Sequence, residues 1–409
     1  MKVVLVYLDV LNNGDRIIYD TARWLSEQCL KELQISADIV PLDIGSYRPR
    51  APRSRLSKVK KLYYKLVDRK AEDLRERGNS QDPPAPDAYR SQWKKSFHYH
   101  YYQKHERSKL ESADLIIFCG GGLIKFHRQD FHYFIDDITE YAQQHHIPVI
   151  LNAVGIEGYS AGNPECMILK EAVNRSCVTS ITTRDDIEML NRDYMTNPAI
   201  RTALVCDPAF WIKETYHIGR DEAGSADRIG LNLIRPEIFG EYVTEISREV
   251  LGSLYYDMIR KLLDQGRKVT LFSNGAEADD RFGRWLLERY PDLKGSGIDM
   301  VCPKDPESFI RCIAGFERII AARLHTSIIA TVLGIPNVSL VWNRKQPLFG
   351  EQVGLPENYI PMTKFDAEYI VQKLNDARSY EMDPEYKESV RRTLLEAIRQ
   401  AAGKTIWQN

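Results

Sequence analysis

An arginine and a histidine two residues apart, where an apolar run gives way to a helix pattern, are the residues here best placed for chemistry. Phe316–Lys345 reads FERIIAARLHTSIIATVLGIPNVSLVWNRK. It parses as a buried strand over Arg318–Ala322, a short turn, a helix opening near His325 or Thr326, and a second strand over Asn337–Val341. Gly334, with Pro336 just beyond, marks the end of the helix. The turn carries Arg323 and His325. In a parallel α/β sheet such a turn lies at the carboxyl end of its strand, where ligands bind. A helix N-terminus there offers free N–H groups and partial positive charge. A guanidinium and an imidazole added to it make a site for a small, multiply charged anion. The competing reading pairs Arg323 with a carboxylate of the protein and leaves His325 to cap the helix.

The elements that must position this turn recur along the chain. Lys2–Leu8 is an apolar strand, followed by the turn Asn12-Asn13-Gly14-Asp15 and an amphipathic helix with Ile17, Ala22, Trp24, Leu25 and Leu30. Strand, glycine turn and helix open a Rossmann-like unit. Further strands are expected over Ala37–Leu42, Ala113–Cys119, Pro148–Val154, Val178–Thr182 and Ala203–Cys206. Their carboxyl ends carry Gly120-Gly121-Gly122, the loop Gly155–Gly158 with Glu157, Arg184-Asp185-Asp186, and Asp207-Pro208. The triple glycine permits close backbone approach to a ligand, but it lacks the G-x-G-x-x-G spacing of a dinucleotide site. A polar segment, His217–Ala226, reads as a boundary. The theme then repeats with strands over Arg228–Ile234, ending at Arg235-Pro236, and Lys268–Phe272, ending at Ser273-Asn274-Gly275. A helical stretch with Val243, Ile246 and Val250 lies between them, and a helical tail begins near Asp366. The expected architecture is α/β: two Rossmann-like domains facing a cleft. The first spans residues 1–215, the second 228–365, and the tail 366–409.

Composition narrows the function classes. The chain has 409 residues, 43% apolar and 28% charged, with a net charge of −1. That is the profile of a globular protein with no global pull toward nucleic acid. Seven scattered cysteines without C-x-x-C pairs suit reduced, buried thiols and a cytoplasmic setting. The N-terminal strand runs straight into polar NNGD, unlike a signal peptide, and no apolar run is long enough to span a bilayer.

Residues 48–109 interrupt the rhythm. Arg48, Arg50, Arg53, Arg55, Lys58, Lys60 and Lys61 come with little acid, and SQWKKSFHYHYYQKHERSK interleaves basic residues with Trp93, Phe97, Tyr99, Tyr101 and Tyr102. The composition suits nucleic acid, an anionic membrane surface, or a helical hairpin whose aromatics cover the domain beneath. The last reading is preferred, because the chain has no overall basic excess, and peripheral membrane contact stands second. His98, His100, His127 and His132 lack the Cys or carboxylate spacing of a metal site.

Taken in order, NNGD (12–15), GGG (120–122), AVGI-x-G (153–158), TRD (183–185), DPAF (207–210), NLIRP (232–236), RLHTSIIATVLGIP (323–336) and Lys345 resemble the polysaccharide pyruvyl transferase family. The resemblance runs through both halves; residues 48–109 fall outside its common pattern. It implies a GT-B type fold. It also implies transfer of pyruvate from phosphoenolpyruvate, as co-substrate and without a cofactor or metal, onto two hydroxyls of one sugar. Under that resemblance Arg323, His325 and Lys345 line the phosphoenolpyruvate site, with Arg184 or Arg235 completing it, and His325 is the general acid. Asn13, Asp15, Gly121, Gly122 and Glu157 are then expected on the acceptor side. The acceptor would be a surface glycan or its lipid-linked precursor, such as an undecaprenyl-diphosphate oligosaccharide at the inner membrane face, with a 4,6-ketal expected. Two rivals remain: a nucleotide-sugar glycosyltransferase on the same fold, and a non-catalytic glycan- or anion-binding protein. Arg-Leu-His-Thr at the helix start, where such glycosyltransferases commonly place glutamates, disfavours the first.

Overall fold

The computed structural model describes residues 1–9, 12–45, 56–80, 82–127, 130–220, 227–242, 245–293 and 296–406. Arg48, Arg50, Arg53, Arg55 and Val243 lie outside them. The strands are β1 (Lys2–Tyr7), β2 (Asp38–Asp43), β3 (Leu115–Cys119), β4 (Ile124–Lys125), β5 (Val149–Val154), β6 (Ile156–Glu157) and β7 (Val178–Thr183). They continue with β8 (Arg201–Leu204), β9 (Arg228–Asn232), β10 (Lys268–Phe272), β11 (Asp299–Val301), β12 (Arg318–Ala321), β13 (Asn337–Val341) and β14 (Tyr359–Pro361). Two six-stranded sheets result, in the orders β2-β1-β3-β5-β7-β8 and β11-β10-β9-β12-β13-β14. Every neighbouring pair is parallel.

Sequence explains why. A parallel sheet is covered by helices on both faces, so its inner strands are continuously apolar rather than alternating. LIIFC of β3 and VILNAV of β5 are buried at every position. In the second sheet Leu231, Leu271, Ile320 and Leu340 pack with Tyr255, Met258, Ile259 and Leu262 of the helix Arg248–Asp264 and with Ile370 and Leu374 of the helix Ala367–Asp376. Counting only its own strands, the second sheet runs 3-2-1-4-5-6, the order of dinucleotide-binding folds. Its connection direction reverses between β9 and β12.

The three-residue edge strands β11 and β14, and the short β4–β6 ladder, have no sequence signature of their own. The strand expected over Ala203–Cys206 forms two residues earlier, as β8. All seven cysteines are free thiols.

By packing, the chain divides into two compact units: Met1–Val10 with Ala22–Pro208 and Glu388–Asn409, and Leu11–Thr21 with Ala209–Lys387. Ala209, Phe210 and Ile212 are fully buried, Phe210 edge-on to Phe349, which holds the segment after Pro208 in the second unit. The NNGD turn belongs to the second unit as well.

The described part of the insertion is helical: Lys58–Arg77, Pro86–Trp93 and Phe97–His105. Trp93, Phe97 and Tyr102 face inward. Trp93 stacks on Tyr133 at 5.2 Å, and Tyr102 meets the edge of Phe134. Three of its arginines also turn toward the domain. Arg75 pairs with Asp130 (2.8 Å) and Glu165 (3.3 Å), Arg90 with Asp136 (2.9 Å) and Glu171 (2.6 Å), and Arg107 with Asp137 (3.2 Å). Partners along and around the helix Phe131–Gln144 thus absorb part of the insertion's charge. His98 bonds Asp130, His100 bonds the Ser96 carbonyl, and His132 is buried 3.4 Å from Glu165.

One pH effect follows. Burial alone would raise the Asp130 carboxyl, but the His98 hydrogen bond and the charges of His98, Arg75 and His132 outweigh it and hold it below the usual range. A depressed carboxylate contributes stability above its unfolded pKa, and that contribution is lost as pH falls through the unfolded value toward the folded one. Arg75 is more than a third exposed, so Arg75→Met should cost about 1 kcal/mol at neutral pH. Urea titrations at a series of pH values should show that difference shrinking below about pH 4.

Candidate active site

The carboxyl edge of the second sheet is assembled around an asparagine. An asparagine inside an apolar strand must find partners for its amide or be destabilising. Asn232, fully buried at the end of β9, accepts from the backbone N–H of Ala322 (3.2 Å) and Arg323 (3.0 Å) and from the Thr326 hydroxyl (3.0 Å). Its own amide donates to the Phe272 carbonyl. One side chain therefore pins the turn between β12 and the helix Leu324–Val332 to two neighbouring strands. Asn232→Ala would orphan those donors together and should destabilise the protein by about 3 kcal/mol, read by denaturant unfolding.

Arg323, in extended conformation (φ −113°, ψ 138°), is the N-cap residue, so the helix opens a residue or two before its expected start. Its guanidinium meets Asp279, which lies in the first turn of the helix Glu277–Arg289 and is fully buried. Nε donates to Oδ2 (3.0 Å), and Nη2 to Oδ1 (2.7 Å) and Oδ2 (2.6 Å). The guanidinium carbon also lies 5.7 Å from the centre of the Trp342 ring, and the indole N–H of that ring donates to the Ala322 carbonyl at 2.6 Å. The carboxylate partner that sequence left as the alternative is therefore present, on one edge of the group. Nη1 donates to no described residue.

The same carboxylate reaches a second arginine. The Arg235 backbone N–H donates to Asp279 Oδ1 (3.0 Å), and its guanidinium is 4.0 Å away and 28% exposed. Lys345, half-buried, opens the helix Lys345–Gln352 after β13, with its backbone N–H on Asn343 Oδ1. Arg235, Arg323, His325 and Lys345 thus come from the ends of β9, β12 and β13, adjacent strands flanking the topological switch point. Asp279 was not legible: acidic residues in first helical turns are common, and only burial distinguishes this one.

His325 is half-buried, in the first turn of its own helix. A methyl group on Gly14 would stand 2.3 Å from His325 Nδ1, so the imidazole lies directly against the Gly14 backbone. Gly14 is in the first turn of the helix Asn13–Glu32, which Asn12 caps by accepting from the Asp15 N–H (3.0 Å). The imidazole is thereby set between two helix N-termini, each a source of N–H groups and partial positive charge. Asn13 is 2% exposed; its backbone N–H donates to the Asn274 carbonyl (2.9 Å) and its side chain to the Pro303 carbonyl (3.2 Å). Gly275, at φ +92°, leaves room for that amide. Asp15 is half-buried beside Asn12.

In the first unit the motif segments interlock at the ends of β3, β5 and β7. Gly120 and Gly121 adopt φ of 56° and 76°, a region that favours glycine. The Gly120 N–H donates to the Asn152 carbonyl (2.7 Å), and the Gly155 N–H to the Gly121 carbonyl (2.6 Å). Asp185 accepts from the Ile156 N–H and the Thr183 hydroxyl, both at 3.0 Å, tying TRD to the AVGI-x-G loop. Gly122 lies beside Gly155 in the same cluster. Glu157 pairs with buried Lys125 at 2.7 Å. Arg184 turns inward to a buried ion pair with Asp207 of DPAF. It belongs to the first unit, whereas Arg235 belongs to the second.

Two successive parallel six-stranded sheets place the protein in the GT-B class of α/β folds. Among solved structures the chain is similar to UDP-GlcNAc 2-epimerase of Methanocaldococcus jannaschii in complex with UDP-GlcNAc and UDP (12% identity, 96% of this chain and 99% of that one, TM-score 0.55). It is similar to the Neisseria meningitidis enzyme bound to UDP-GlcNAc (10%, 98% and 100%, 0.55) and to that of Rickettsia bellii (11%, 100% and 100%, 0.54). At these identities the likeness is one of fold. Comparison with curated proteins finds no match. Residues 12–344 match the Polysaccharide pyruvyl transferase family, and the chain belongs to that family, a family of transferases acting in polysaccharide biosynthesis.

Proposed function

We propose that the protein transfers pyruvate from phosphoenolpyruvate onto two hydroxyls of one sugar, forming a cyclic ketal. The reading rests on one observation: three cationic side chains and an imidazole at adjacent strand ends of the second sheet, beside two helix N-termini. The donor is a carboxylate and a phosphate on one small carbon frame, and such a constellation matches both. Arg235 and Arg323 hold the carboxylate and Lys345 the departing phosphate. Arg323 can do so because Asp279 and Trp342 fix its plane, leaving Nη1 to reach the ligand. Arg235 rather than Arg184 fills the remaining position, since Arg184 is buried against Asp207.

In the reaction, C3 of the enol takes a proton from His325 while an acceptor hydroxyl adds to C2 and gives up its own proton. The C2–O bond to phosphate then breaks and the second hydroxyl closes the ketal; of the two hydroxyl protons, one restores His325 and the other leaves on inorganic phosphate. We assign Gly121, Gly122 and Glu157 to the acceptor. The acceptor is a hexose with free 4- and 6-hydroxyls in a glycan or its lipid-linked precursor at the cytoplasmic membrane face.

The fold likeness to epimerases whose structures hold UDP-GlcNAc motivates one competing test. Phosphoenolpyruvate should raise the melting temperature of the protein and UDP-sugars should not, and Arg235→Met should remove the rise. Stabilisation by UDP-sugars alone would favour the glycosyltransferase reading.

A further inference from the structure

Four large apolar side chains stand outward on one helix. In the helix Lys58–Arg77, Val59, Leu62, Tyr63 and Leu66 are 77%, 60%, 46% and 54% exposed. Their spacing is i, i+3, i+4 and i+7, so they form a single stripe within about 100° of arc. The adjoining side of the helix is already used. Tyr64 packs on Phe97, Val67 is buried, the Val67 carbonyl accepts from Gln92, and the Leu74 carbonyl accepts from Tyr89. The stripe is thus a second apolar face, not the one that seats the helix.

Charge beside the stripe has one sign. Lys58, Lys61, Lys65 and Arg69 are exposed and form a row along one flank. From Ser46 to Val67 the sequence holds arginines at 48, 50, 53 and 55 and lysines at 58, 60, 61 and 65, and no acidic residue. Further along the same helix Glu72, Asp73 and Glu76 are exposed, so the single-sign row ends at Arg69, while Arg75 and Arg90 pair inward with Asp130 and Asp136. A solvated helix does not need four outward apolar groups in two turns, and a nucleic-acid surface would not use aliphatic ones. Trp93, Phe97 and Tyr102, which could have stacked on bases, are buried.

We propose that this stripe is a docking face for an anionic lipid surface. Val59, Leu62 and Leu66 enter the headgroup–acyl boundary, and Tyr63 lies at headgroup level. The lysine row meets lipid phosphates while its stems lie along the apolar boundary. Among the described residues no helix is long and apolar enough to cross a membrane, so the attachment is peripheral. It is independent of the reaction proposed above and would bring the enzyme to a lipid-linked acceptor.

The test is sedimentation of the full chain with phosphatidylcholine vesicles, with and without phosphatidylglycerol. Wild type should co-sediment with the anionic vesicles, weakly with the neutral ones, and less in high salt. Leu62→Ser with Leu66→Ser should weaken partitioning at least about tenfold. Lys58→Gln with Lys61→Gln and Lys65→Gln should abolish the preference for anionic lipid. All these positions are exposed, and an unchanged circular dichroism melt would certify the fold. Equal binding of wild type and variants, or none by wild type, would overturn the proposal. So would a dimer that Leu62→Ser with Leu66→Ser dissolves in the absence of vesicles, which would assign the stripe to a second copy. Binding of an oligonucleotide in place of vesicles would overturn it too.

Discussion

Replacing His325 with glutamine should lower pyruvyl transfer by about 10²–10⁴-fold, the ordinary worth of a positioned general acid. Glutamine keeps much of the volume and a hydrogen-bonding end but cannot deliver a proton to the enol carbon. The side chain is only half-buried, so the thermal melt should be nearly unchanged. Phosphoenolpyruvate affinity should fall less than turnover, because the arginines and lysine remain. Gly14→Ala is the partner experiment. A methyl there would stand 2.3 Å from Nδ1, so the ring must move, and activity should drop at least about tenfold with His325 still present. Activity within a few-fold of wild type in both variants would remove His325 from the chemistry.

The second large effect is on stability. Asp279→Ala leaves the Arg323 guanidinium without its carboxylate in a site where that carboxylate is fully buried, and removes the acceptor of the Arg235 N–H. Breaking a buried pair on one side typically costs about 3–5 kcal/mol, because the surviving charge has lost its partner. Adding Arg323→Met to Asp279→Ala should recover part of that loss, since no unpaired guanidinium remains. The double variant should therefore be more stable than the sum of the singles predicts. Activity should not recover, because the double variant lacks one of the arginines proposed to hold phosphoenolpyruvate. Recovery of activity along with stability would make Arg323 a structural residue.

Much of the architecture could be read because parallel strands declare themselves as uninterrupted apolar runs. Leu115–Cys119, Lys268–Phe272 and Asn337–Val341 appear within a residue or two of their expected bounds. What escaped was short or lateral. β11 and β14 are three residues each at sheet edges, too short to show an apolar run. The turn carrying Arg323 and His325 was legible from its place after a strand. Its supports were not. Asn232 was visible as an odd polar residue in a buried strand, yet its partners Ala322, Arg323 and Thr326 lie about ninety positions away. Asp279 resembles any acidic first-turn residue, and its role exists only through contact with Arg323 and Arg235. The insertion shows the same limit in reverse. Its basic composition left a partner open beside the preferred hairpin reading, and Arg75, Arg90 and Arg107 find their partners within the fold.

The decisive measurement is mass spectrometry of lipid-linked glycans incubated with the protein and phosphoenolpyruvate. A glycan bearing free 4- and 6-hydroxyls should gain the mass of pyruvic acid less water, the signature of a pyruvyl ketal. One inorganic phosphate should be released per ketal, and His325→Gln should form neither product. Glycans that gain no mass with phosphoenolpyruvate but gain a sugar when UDP-sugars are supplied would contradict the proposed reaction and return the strand-end cations to a nucleotide donor.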